Sequence, residues 1–165
     1  NATSNADGAV AVRMYLVSTS YVRMVAPATS TLPAWVGPRS RVVVGADPVI
    51  TRMLNDTNAY RKAQGGAALK LHAKLNLVAG NWAYTMHQTC DFKHSPNYTA
   101  QYPAGWTRAA ENIAAGQTYT GVVPAWMASS GHRANILGNY THIGIGYHFG
   151  ANCYDRYYVQ NFAKF

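Results

Sequence analysis

The stretch "THIGIGYHFGANCYDRYYVQNFAKF", residues 141–165, decides the class of fold. Ile143, Ile145 and Tyr147 alternate with small or polar residues, and a second β-rich run, "YDRYYVQNFAKF", follows the Gly150-Ala151-Asn152 turn. A period of two on both sides of a glycine-led turn predicts an antiparallel hairpin. Upstream of it the period is helical. Asp47 caps a helix with Pro48 in its first position and Val49, Ile50, Met53, Leu54 and Tyr60 at three- and four-residue steps, ending at Gly65-Gly66. In "LHAKLNLVAGNWAYTMHQ" (71–88), Leu71, Leu75, Val78, Ala79, Trp82 and Met86 share one face of a second predicted helix. A third helix is predicted over "TGVVPAWMASSGHRANIL" (120–137), capped by Thr120, with Pro124 in its first turn and Val122, Val123, Trp126 and Met127 as its buried stripe. Strands that follow helices, with no strand-helix-strand repeat and no phosphate loop, predict an α+β domain with helices packed on an antiparallel sheet.

Composition sets bounds on this reading. The chain has 165 residues, 48% of them hydrophobic, which is enough for one ordinary core. It divides in character near residue 46. Residues 1–46 contain Pro27, Pro33 and Pro38 and no helical period, and "AVAVRMYLVSTSYVRMVAP" (9–27) is rich in β-branched and aromatic residues. A strand or hairpin, a processed pro-segment and a mobile arm all remain open there, so residues 1–46 read as an extension and 47–165 as the domain.

Fourteen Lys and Arg against six Asp and Glu give a formal charge of +8. The basic residues are scattered, with Arg61-Lys62 the adjacent pair outside which no run forms, so no specific nucleic-acid arm is marked. The excess charge suits anionic cell-wall or membrane surfaces. Four sequons, at Asn1, Asn55, Asn97 and Asn139, are candidate glycosylation sites. Cys90 and Cys153 allow one intramolecular bridge. The chain opens on Asn, as a processed secretory protein does, although any trimmed chain opens in the same way. No apolar run approaches the roughly 20 residues of a membrane span, and the expectation is a secreted, soluble protein.

One acid stands out among so few. Glu111 lies beside Asn112 in "AENIAAG" (110–116), downstream of "CDFKHS" (90–95). Those two motifs, with "VVPAWMASSGHRANIL" (122–137) and "YTHIGIGYHF" (140–149), in this order, resemble the CAP superfamily of cysteine-rich secretory, antigen 5 and pathogenesis-related class 1 proteins, which share the SCP domain. The resemblance covers roughly residues 48–165. It implies a three-layer α-β-α sandwich, secretion, a Cys90–Cys153 disulfide as in plant members, and small apolar ligands such as sterols or fatty acids.

The resemblance also implies a cleft of two His and two Glu that can hold a divalent cation such as zinc. His94 matches the His of the "HS" motif and Glu111 the acid of the "EN" motif. The second acid, three residues after the helix tryptophan, falls on Ser129 here, and the second His, before "YT", falls on Asn139. Both are missing. His132 in "GHR" and His142 in "YTHIG" lie near those vacancies, and His132 is the chosen third ligand, for a weakly bound ion. The competing readings are a His94–Glu111 pair that only ties chain segments together and a His132 that caps a helix C-terminus. His72, His87 and His148 match no motif.

Between the two cleft motifs lie Tyr98, Tyr102, Pro103 and Trp106, amphipathic side chains suited to covering an apolar ligand or to roofing the core. Ser95, Ser129 and Ser130 stand near histidines, but no GxSxG elbow or HExxH pair supports a hydrolase. Binding of an apolar ligand is therefore the leading expectation. Partner recognition in host interaction is the alternative, and metal-dependent hydrolysis stands behind both.

Overall fold

The computed structural model describes residues 47–165 throughout and, before them, the backbone of residues 2–4, 10–12, 20–22, 25–26, 35–36 and 40–42. The chain divides into two compact units, Asn1–Ala46 and Asp47–Phe165. In the first, β1 (Ala2–Ser4) pairs with β2 (Val10–Val12), β3 (Ser20–Val22) with β6 (Ser40–Val42), and β4 (Val25–Ala26) with β5 (Trp35–Val36), all antiparallel. The sequon at Asn1 lies outside the described residues.

The second unit opens with α1 (Pro48–Ala63), capped as the sequence predicts: Asp47 Oδ1 accepts from the backbone N–H groups of Val49 and Ile50. Next come β7 (Lys70–Leu71) and α2 (Ala73–Thr89), which starts from His72, whose Nδ1 accepts from Lys74 N–H; Leu71, read from the sequence as part of the helix's buried face, lies in β7 and is exposed. A short 3-10 turn (Tyr98–Gln101) leads into β8 (Arg108–Ala115). The third predicted helix is two: α3 (Val122–Ala128) and α4 (Ser130–Leu137) meet at Ser129, whose backbone is extended. Two serines and a glycine in a row, all weak helix formers, let the chain turn there. Thr120 is not the cap; Thr118 Oγ1 accepts the Gly121 N–H instead. β9 (His142–Phe149) and β10 (Arg156–Lys164) form the predicted hairpin, with a turn that extends over residues 150–155.

The four strands order as β7-β9-β10-β8, antiparallel except for the β7–β9 pair. Register separates the two faces of the sheet. Ile143, Ile145, Tyr158 and Phe162 meet Val49, Met53, Val122, Val123, Trp126 and Ile136 from α1, α3 and α4. Ile113, Tyr157 and Val159 meet Ala79, Ala83 and Met86 of α2 on the opposite face. The result is the expected three-layer sandwich. α2 seats closely because β9 offers no side chain beneath it: a Cβ on Gly144 would lie 2.2 Å from the Leu75 carbonyl carbon, and one on Gly146 2.1 Å from the Gly80 nitrogen.

Cys90 and Cys153 form the disulfide, 63 residues apart, joining the end of α2 to the β9–β10 turn. In the chain-entropy account, closing a loop of that length stabilises the fold by about 4 kcal/mol.

Candidate functional site: the His94–Glu111 cleft

β8 is the outer strand of the sheet, and its Ala-rich sequence hides it from a pattern search. Its outward carbonyls are covered by side chains: Trp126 Nε1 donates to Ile113 O at 2.9 Å and Asn135 Nδ2 to Glu111 O at 3.2 Å. α3 and α4 thereby close the exposed edge. Asn112 completes the tie, donating to His132 O and to Gln160 Oε1 while accepting from Asn135 Nδ2. Glu111 and Asn112 are neighbours because alternation sends one to each face.

Glu111 leaves the sheet on the α2 side, where the loop after α2 reaches it. Its Oε1 accepts from His94 Nδ1 at 2.8 Å and from the Ser95 backbone N–H at 2.9 Å. Its side chain is 1% exposed and that of His94 is 61% exposed, so a buried acid holds a solvent-facing imidazole. With Ser95 N–H also on Oε1, that oxygen is an acceptor, and Nδ1 carries the proton toward it. Nε2 of His94 is left to solvent as an acceptor. Burial raises the Glu111 pKa, partly offset by the hydrogen bonds from Ser95 and His94 and by the His94 charge.

His132 is the third residue of α4, near its start, so it does not cap a helix C-terminus. Its pKa is lowered by burial and then by the charge of His94, which places the two imidazoles within electrostatic reach. His142 belongs elsewhere. It begins β9, which β10 separates from β8, and its pKa is lowered by burial, His72 and Lys70 on the far side of the sheet. Among the described residues no three His, Cys, Asp or Glu side chains converge as a metal ion requires. Glu111 spends one carboxylate oxygen on two donors and buries the other.

The aromatic loop forms an edge-to-face series, with Tyr98 and Tyr102 centroids 5.6 Å apart and Tyr102 and Trp106 6.3 Å apart. Tyr102 is buried against Leu75, Val78 and Ala163, with Tyr98 packed beside it, while Trp106 is exposed. Burial raises the pKa of both tyrosines, and the Glu111 charge adds to it, so the loop and the cleft are adjacent. A separate open groove of about 390 Å³ runs between α1 and α3, lined by Arg52, Asp56, Ala59, Tyr60, Ala63 and Pro124. Asn55, Asn97 and Asn139 are all exposed.

Residues 54–162 match the CAP family, the cysteine-rich secretory protein family, and the chain belongs to it. The chain is 42% identical to the uncharacterized protein YkwD of Bacillus subtilis (strain 168), over 55% of this chain and 39% of that protein, and so spans well under half of that relative's length. Among solved structures, it resembles an extracellular SCP-domain protein of Bacillus anthracis (TM-score 0.60, 28% identity, 78% of this chain and 47% of that one). It also shares its fold with an outer surface protein of Borrelia burgdorferi (TM-score 0.66, 18% identity, 73% of this chain and 96% of that one). Among the described residues no helix is long and apolar enough to cross a membrane.

Sequence reasoning misses Asn135, Trp126 as an edge cover, and Asn161. The first two lie inside the quoted motifs, but their role depends on β8 being a strand. Asn161 carries no sequence signal at all.

Proposed function

We propose that this CAP domain is a secreted binding module for a small apolar ligand, a sterol or a fatty acid. The observation that carries the reading is the α1–α3 groove, whose volume falls within the range of roughly 300–1,000 Å³ typical of small-molecule sites. Tyr60, Pro124 and two alanines supply its apolar wall, and the Arg52–Asp56 pair at 2.7 Å supplies a polar feature for a headgroup. The aromatic loop is the second candidate surface, with Trp106 as its exposed member. The basic charge favours delivery to anionic walls or membranes, and the disulfide and exposed sequons are consistent with secretion and glycosylation.

The test is saturable binding of a labelled sterol and a labelled fatty acid to purified protein. Ala59→Trp fills the groove from an exposed helix face and is expected to weaken binding at least tenfold. Loss on Trp106→Ala with Ala59→Trp unchanged would move the site to the loop. No saturable binding of either ligand would reject the module and favour partner recognition.

A divalent cation, zinc in the first instance, is the cleft's expected second ligand, held weakly by His94 Nε2 and His132. Glu111 acts through His94, fixing its tautomer, as carboxylates behind metal-bound histidines do. Zinc titration by calorimetry at pH near 7.5 is expected to show modest binding that falls when the imidazoles protonate and disappears in His94→Ala. Identical binding by wild type and His94→Ala would leave the pair a purely structural tie.

A further inference from the structure

Behind Glu111 the sheet carries polar atoms without partners. Glu111 Oε2, both side-chain heteroatoms of Asn161 and the Tyr102 hydroxyl are all buried, and none has a hydrogen bond. Asn161 is 0% exposed, Glu111 5% and Tyr102 8%. Asn161 lies directly opposite Glu111 in the β10–β8 register, so the two side chains leave the sheet on the same face with Cβ atoms about 5 Å apart. Ala163, two residues along β10 on that face, packs with Tyr102, and the Glu111 charge is felt at the Tyr102 hydroxyl. The orphaned groups therefore belong to one neighbourhood between β8, β10, α2 and the 98–106 loop.

Leaving this many buried polar groups without partners is costly, and native folds rarely tolerate it. Their chemistry states what the space must hold. Glu111 Oε2 and the Asn161 carbonyl accept, whereas the Asn161 amide and the Tyr102 hydroxyl donate. A metal ion cannot satisfy the donors, and an anion cannot satisfy the acceptors. A small neutral molecule with both functions satisfies all of them, and water is the smallest that does.

We propose that Glu111, Asn161 and Tyr102 enclose an internal water site of one or two molecules, which forms the floor of the His94 cleft and hydrates the inner oxygen of Glu111. Asn161 is then a positioning residue for the cleft, acting on His94 through Glu111. The site stands independently of what occupies the α1–α3 groove.

The experiment uses the full isotope-labelled chain. Rotating-frame NMR is expected to show cross-peaks from a long-lived water to the Asn161 side-chain amide protons in wild type. They should vanish in Asn161→Leu, and the His94 ring proton resonances should shift as Glu111 loses its inner partner. If Asn161→Leu does not fold, Tyr102→Phe serves: it should keep the water at Asn161 and shift the His94 ring resonances by a smaller amount. Absence of the water cross-peaks in folded wild type overturns the proposal. So does a high-resolution crystal structure with Asn161 bonded directly to Glu111 and no water between them.

Discussion

The two faces of the sheet treat their polar residues in opposite ways. On the α1/α3/α4 side the buried polar side chains among the described residues all find partners. Gln160 Nε2 donates to Thr57 Oγ1, which donates to Met53 O, and Asn112 joins Gln160 to α4. Arg61, 3% exposed, gives its guanidinium to the carbonyls of Ala67, Ile136, Gly138 and Tyr140. On the α2 side lie the buried polar side-chain atoms left without a partner among the described residues: those of the Glu111 neighbourhood, and His87 Nε2 toward the disulfide end. A closed network specifies a packing, and an open one leaves chemistry to spare. The difference marks the core of the first layer as scaffold, with the α1–α3 groove open on its outer surface, and the second layer as the side that holds the His94–Glu111 cleft.

The largest effect that tests this contrast is predicted at Arg61. Arg61→Met keeps the aliphatic stem but leaves four carbonyls without their donor, and the expected loss is on the order of 4 kcal/mol in urea denaturation. Arg52→Met, which breaks the exposed helical pair with Asp56, is the control and should cost under about 1 kcal/mol. If the two variants cost the same, the carbonyl network is incidental and the scaffold reading of that face fails.

What is legible in the sequence follows from how local each signal is. Asp47-Pro48 specifies a helix start within four residues, and the alternation of Ile143, Ile145 and Tyr147 specifies a strand, so both are realised as read. β8 is not legible from its pattern, because "RAAENIAA" buries four consecutive residues: α2 and the loop after it cover one set of side chains, and α3 and α4 the other. Two-residue β7 is defined only by its partner, with Lys70 and His72 donating to the carbonyls of Thr141 and Ile143. The break at Ser129 is masked because the apolar stripe continues through it in the sequence. His94 and Glu111 are visible by family resemblance rather than by spacing, and the choice between His132 and His142 needs the strand order, which no local pattern contains.

The smaller effect is one of slope, and it concerns the open face. Burial raises the folded-state pKa of Glu111 above its ordinary 4.5, so the stability linked to this group is complete below the unfolded value and is lost as pH rises through the folded one. His132 slopes the other way: its folded pKa lies below 6.5, so its contribution is present above that pH and is lost as pH falls through the folded value. Glu111→Gln separates the two. Its amide oxygen still accepts from His94 Nδ1 and Ser95 N–H, and His132 is untouched, so the difference from wild type isolates the cost of a buried carboxylate. Measured from pH 4 upward, wild type should lose stability relative to Glu111→Gln, with the gap opening through and above the carboxylate range. The opposite slope, with wild type gaining as pH rises, would mean that the two hydrogen bonds outweigh burial. The α2 face would then hold its acid for stability, as the other face holds Arg61, and the contrast between the two layers would collapse.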